Sequence, residues 1–185
     1  MVALTSEQYE NIIHAMLRGG KGSRANPRIA SALMVEANMG IRIGDVLRLK
    51  LSDFVRDGGR IRLNIVEQKT GKARMFTVPG EMYAFLQDYA SKANIGANDL
   101  LFPITERAVQ KHLKAVCDAL GYENISTHSF RKWYATSIYK ANGNDLLLVQ
   151  RLLQHSSPAI TRRYIGISDE RMEQAISNHV HLISA

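Results

Sequence analysis

The sequence predicts a mostly α-helical domain carrying a small antiparallel β-sheet, an α+β arrangement. Three observations lead there. Over most of the chain apolar residues recur at helical spacing, between cap residues and glycine stops. A single stretch, about residues 60–78, changes to a period of two. The 185 residues are 45% hydrophobic and 22% charged, which suits one globular domain with a real core.

The elements follow in order. Thr5 and Gln8 have capping-box spacing, and Tyr9, Ile12, Ile13 and Met16 keep helical period until Gly19-Gly20. Lys21 to Asn26 is a basic, polar loop. Pro27 suits a first helical position, and the run from Ile29 to Met39 ends at Gly40. A further helical stretch spans Ile43 to Leu51. Ile61, Leu63 and Ile65 then alternate with Arg60, Arg62 and Asn64 as a half-buried strand, and Met75 to Val78 form a second. Lys69-Thr70-Gly71-Lys72 between them is turn chemistry, so a hairpin is expected. Helical patterns return near 80–92, 105–120, 128–141 and 145–154. Pro158 opens another after Ser157, and a last helix is expected from about Asp169 to Ile183. With no linker or repeat in the pattern, residues 1–185 read as a single domain.

Composition excludes several classes. With Cys117 as the only cysteine, neither an intrachain disulfide nor a Cys-rich zinc or iron–sulfur site can form. No apolar run reaches the roughly 18 residues that span a bilayer, and the N-terminus lacks a secretory signal pattern, so an intracellular soluble protein is expected. The net charge of +7 favours a polyanionic partner. Residues 40–80 hold nine basic and four acidic side chains, and residues 128–164 hold six and one. Each segment is therefore +5; converging in space they would make a phosphate-binding surface, and apart they are a scattered solvated surface.

Four motifs carry candidate chemistry. Arg42 opens a helix with Asp45 one turn on, where an acid would orient its guanidinium. Lys69 sits on the hairpin turn, able to reach a groove and deliver a proton. His128 and Arg131 share a helix face as a phosphate clamp. Tyr164 follows His155 by nine residues and stands beside Arg162-Arg163; its hydroxyl becomes a nucleophile near neutral pH only among positive charge and donors. Taken singly, each motif is equally compatible with a surface ion pair, a solvated lysine or a packing tyrosine. The other histidines show no metal-ligand spacing. Cys117 reads as a buried helix residue, and Trp133 and Tyr134 as core.

Their order is more specific. Met39-Gly40-Ile41-Arg42-Ile43-Gly44-Asp45, Gln68-Lys69-Thr70-Gly71-Lys72, Thr127-His128-Ser129-Phe130-Arg131 and Leu153-Gln154-His155-Ser156-Ser157-Pro158, ending at Tyr164, resemble the boxes of the tyrosine recombinase (phage integrase) family over nearly the whole chain. Gln154 stands where that family often has glycine. The resemblance implies a DNA breaking–rejoining catalytic-domain fold and a site-specific DNA recombinase working through a 3′-phosphotyrosine on Tyr164. It implies Arg42, Lys69, His128, Arg131 and His155 as the catalytic partners, with Asp45 in support. Arg42, Lys69, Lys72, Arg131, Lys132, Arg162 and Arg163 are the expected DNA contacts. No metal or other cofactor is expected. The partner is double-stranded DNA, with a homo-oligomeric, tetrameric synapse on it and a monomer without it, in a prokaryotic cytoplasm at the nucleoid. The family's N-terminal core-binding domain is expected to be absent. The apolar face of segment 169–185 either folds back onto its own domain or, as is often so in the family, docks on a neighbouring protomer. A type IB topoisomerase-like strand-swivelling enzyme and a non-catalytic DNA-binding accessory protein share part of the pattern. The short His155-to-Tyr164 interval argues against the first, and the intact set of six against the second.

Overall fold

The computed structural model of the protein describes residues 3–20, 23–166 and 177. They fall in two compact units, Met1–Tyr134 and Ala135–Ala185. The division lies inside a helix, at a place where no glycine, proline or polar linker marks it in the sequence. The expected C-terminal helix over 169–183 lies, Ser177 apart, outside the described residues.

In the first unit, α1 (Ser6–Arg18) starts at the reciprocal Thr5–Gln8 capping box and stops at Gly19. α2 (Pro27–Met39) is capped by Asn26, whose side chain accepts the Ile29 N–H at 3.1 Å. Ile12, Met16 and Leu33 are fully buried where these helices pack, together with Leu113 and Val116 of α5 (Glu106–Leu120). Each such side chain contributes about 1.5–3 kcal/mol. Cys117, also on α5, is 3% exposed, and burial pushes its thiol up to about 11.

Gly40 ends α2 in the left-handed region, at φ +60° and ψ +23°. A Cβ on it would run into the Tyr134 ring, so the position excludes side chains twice over. Gly40→Ala is expected to cost about 2–4 kcal/mol, combining the left-handed backbone with overpacking, as a lowered denaturation midpoint will read.

Two expectations are corrected here. The helix beginning at Ile43 is one turn, α3 (Ile43–Val46), followed by a 3-10 turn at Leu51–Asp53. The sheet has three strands rather than two: β1 (Phe54–Asp57), β2 (Arg60–Val66) and β3 (Ala73–Val78), antiparallel in that order. The extra strand pairs Phe54 with Leu63 and Asp57 with Arg60. Gly58 and Gly59 both take positive φ, which a two-residue hairpin loop requires, so the turn was legible although the short strand was not. The inner face of the sheet sets Phe54, Leu63 and Val78 against α4 (Gly80–Lys92), where Phe54 meets the Tyr83 ring at 5.5 Å.

α6 (Thr127–Ala141) begins in the first unit and ends in the second. Phe130 is fully buried, and Trp133, expected in the core, stacks on Tyr9 at 4.6 Å. The second unit continues with α7 (Leu146–Leu153), capped by Asp145, and α8 (Pro158–Ile165), capped by Ser157. Among the described residues no helix is long and apolar enough to cross a membrane.

Candidate nucleic-acid and catalytic site

The first unit brings four of the expected residues to one place. A cleft of about 580 Å³ is lined by Arg42, Asp45, Gln68, Lys69 and His128 among others. Arg42 reaches it because the left-handed turn at Gly40 redirects the chain, leaving Arg42 as the extended residue that precedes α3. The Ile43 N–H that follows donates to Glu36 Oε1 at 3.1 Å. Glu36 is fully buried, so this carboxyl serves as an internal cap for α3. Burial raises its pKa well above the ordinary carboxylate range, against the pull of the Arg131 charge and the Ile43 hydrogen bond.

The acid paired with Arg42 is not the expected one. Arg42 Nη1 donates to Glu67 Oε2 at 2.7 Å, whereas Asp45 Oδ1 accepts the Gln68 N–H at 2.8 Å and so clips the end of β2 to α3. Asp45 therefore supports the site through the backbone of the hairpin instead of through the guanidinium. Glu67 further accepts from the Thr70 hydroxyl at 2.9 Å and from Arg74 Nη1 at 3.4 Å. Burial alone would raise this carboxyl, but those hydrogen bonds and the two guanidinium charges outweigh it and hold Glu67 below the usual range. Arg74 is itself buried, 4.5 Å over the Phe76 ring, and desolvation lowers its pKa.

Lys69 is exposed at the tip of the turn, next to exposed Lys72. The turn closes through Gly71 N–H to Glu67 O at 2.8 Å and Glu67 N–H to Lys72 O at 3.0 Å. On α6, His128 faces the cleft and Arg131 lies one turn on, 2% exposed. Partial desolvation, then the charges of Arg131, Lys69 and Arg42, hold His128 below the ordinary histidine range. All of these influences favour the neutral imidazole. A neutral ring can accept a proton. Lys132 is half-buried beside Arg131.

The second unit holds His155 and Tyr164. Gln154 ends α7 at φ +53° and ψ +37°, the left-handed conformation that glycine adopts freely, which accounts for the glycine the family often has there. His155 is braced at both backbone groups: its N–H donates to Gln150 O at 3.1 Å, and its carbonyl accepts from Gln150 Nε2 at 3.2 Å. Its ring Nδ1 lies 3.0 Å from the hydroxyl of fully buried Thr161 on α8. The Tyr164 ring, one helical turn beyond Thr161, meets the imidazole edge to face at 5.1 Å and 76°. Arg162 and Arg163 are exposed on the same helix.

Sequence reasoning missed Glu36, Glu67, Arg74 and Thr161. A signal existed for two of them. The alternation that turns Ile61, Leu63 and Ile65 inward continues to Glu67, and β3 turns Arg74 inward opposite Ile65. A buried acid and a buried base on one sheet face call for each other. Among the described residues no group of three or more His, Cys, Asp or Glu could hold a metal ion.

Comparisons with known proteins agree with this fold. The model of the phage integrase family matches residues 3–171. A probable integrase/recombinase, YoeC, of Bacillus subtilis is 31% identical over 145 residues, covering 75% of this chain and 77% of its own length. A tyrosine recombinase XerC of Bradyrhizobium diazoefficiens is 31% identical over 154 residues, covering 78% of this chain and 47% of its own. The chain thus spans about half the length of that relative. Among solved structures, XerH site-specific recombinase bound to difH substrate superposes with a TM-score of 0.70 at 24% identity, over 96% of this chain and 54% of that one. The catalytic domain of bacteriophage HP1 integrase gives 0.65 at 19% identity, over 97% and 95%.

Proposed function

The chain belongs to the phage integrase family, and from that premise we propose that it is a site-specific DNA recombinase that cleaves and rejoins double-stranded DNA through Tyr164. The observation that carries this reading is the cluster of Arg42, Lys69 and His128 on one cleft, with Arg131 buried one helical turn beyond His128. Such a cluster suits a phosphodiester whose negative charge grows as a fifth oxygen approaches phosphorus.

In this reaction the Tyr164 oxygen attacks the scissile phosphorus, forming the tyrosyl–phosphate bond as the bond to the 5′-oxygen breaks. Arg42, Arg131 and His155 hold the non-bridging oxygens. His128, neutral at working pH, takes the tyrosine proton, and Lys69 protonates the leaving 5′-oxygen. The phosphate ester energy stays in the 3′-phosphotyrosine link, so a 5′-hydroxyl of another strand reverses the step without a nucleotide cofactor. Lys72, Lys132, Arg162 and Arg163 contact backbone phosphates, making binding salt-dependent. The enzyme acts in the cytoplasm as a homo-oligomer on DNA, in a tetrameric synapse.

The test is capture of a denaturation-resistant protein–DNA adduct on nicked duplexes drawn from a genomic library, followed by sequencing of the trapped strand. A discrete 3′-linked sequence supports the reading. Salt-sensitive DNA binding with no adduct on any duplex would indicate a non-catalytic DNA-binding protein.

A further inference from the structure

We propose that Glu67 is a positioning residue for strand cleavage, its one carboxylate holding both Arg42 and the turn that carries Lys69. This rests on the recombinase reading above and extends it to a side chain that touches neither DNA nor the reacting atoms.

The geometry is specific. Oε2 of Glu67, a side chain 1% exposed, accepts from Arg42 Nη1 at 2.7 Å and from the Thr70 hydroxyl at 2.9 Å. Thr70 adjoins Lys69, and the backbone of Glu67 closes that turn on both sides. The other oxygen meets Arg74 at 3.4 Å, and Arg74 is held from behind by Phe76. A rigid sheet residue therefore fixes the base of the carboxylate, and the carboxylate fixes two groups that approach DNA. Glu67 occupies only Nη1 of Arg42. The Nε and Nη2 edge makes no hydrogen bond to the described protein, so it stays open to two phosphate oxygens.

Charge separates this role from general stabilisation. Two guanidiniums against one carboxylate leave the network positive, so neutralising Glu67 increases the positive charge offered to DNA. Binding and chemistry should then move in opposite directions, which a simple loss of folded protein cannot produce.

The experiment compares the full chain with Glu67→Gln and Thr70→Val on the captured duplex, nicked as a suicide substrate, with either a normal 5′-oxygen or a bridging 5′-sulfur leaving group. Sulfur leaves without a proton and so makes Lys69 dispensable. Glu67→Gln should bind DNA as tightly as the parent or more so, yet form adduct about 100-fold more slowly. The sulfur substrate should recover only part of that loss, since Arg42 remains displaced. Thr70→Val should slow adduct formation about tenfold and recover fully on sulfur. Parental rates in Glu67→Gln, equal losses of binding and cleavage, or a Thr70→Val deficit that persists on sulfur would each overturn the proposal. If Glu67→Gln melts too low to assay, Glu67→Asp keeps the charge but shortens the reach, and should form adduct more slowly than the parent; a parental rate would overturn the proposal. One measurement needs no cleavage. In DNA-free protein Thr70→Val must shift the Arg42 Nε–H resonance, because the two side chains share one oxygen, and an unmoved signal sinks the idea. A parent that forms no adduct on any duplex, with the Arg42 signal shifting as expected, faults the recombinase reading and leaves the Glu67 linkage standing.

Discussion

Tyr164→Phe is expected to abolish covalent adduct formation while DNA affinity and melting temperature stay near those of the parent. The substitution removes one oxygen and keeps the ring that packs edge to face on His155. No bond to phosphorus can form without that oxygen, so the loss should reach the detection limit on a nicked suicide substrate. An adduct that survives in the mutant would move the nucleophile elsewhere in the chain.

Arg131→Ala should produce the largest combined effect of any single substitution. Removing a preorganised donor from a developing negative charge costs about 2.7–4 kcal/mol, roughly 100- to 1000-fold in rate. Arg42→Ala should share that loss but little else, since Glu67 keeps Arg74 as a partner. Arg131 is buried, and its charge bears on the buried carboxyl of Glu36. Its removal should therefore lower the melting temperature as well. The sign with pH follows from Glu36. A carboxyl raised in the folded state holds its proton more tightly there than in the unfolded chain, so its contribution is full at low pH and is lost as pH rises through the ordinary carboxylate range to the raised value. The melting deficit of Arg131→Ala should accordingly be smaller at pH 5 than at pH 8. A deficit independent of pH would show that Arg131 stabilises by packing alone.

The grouping of Arg42, Lys69 and His128 on one cleft, and of His155 with Tyr164, was legible from the chemistry and order of the motifs and needed no correct boundary for α3 or the sheet. The caps of α1, α2 and α8 were equally legible, since Thr5, Asn26 and Ser157 act within four residues of their own positions. What escaped depends on distance along the chain. Asp45 looked like the acid for Arg42 because helical spacing joins residues three apart, but one turn of helix left it aimed at the hairpin backbone. Glu67 lies 25 residues from Arg42 and meets it only once the sheet folds against α3. Thr161 was hidden for a different reason: a hydroxyl three residues into a capped helix is ordinary until a histidine from the preceding loop settles on it.

Cys117 has a practical consequence. It is the only thiol in the chain, it is buried in α5, and its pKa near 11 leaves almost no thiolate at neutral pH. Toward maleimides and other thiol-directed reagents the native protein should behave as though it had no cysteine. A single cysteine introduced at exposed Lys72 can then carry a fluorophore or spin label alone, without first replacing Cys117 and disturbing the α5 core. The turn bearing Lys69 thereby becomes open to distance measurement in an otherwise unaltered chain.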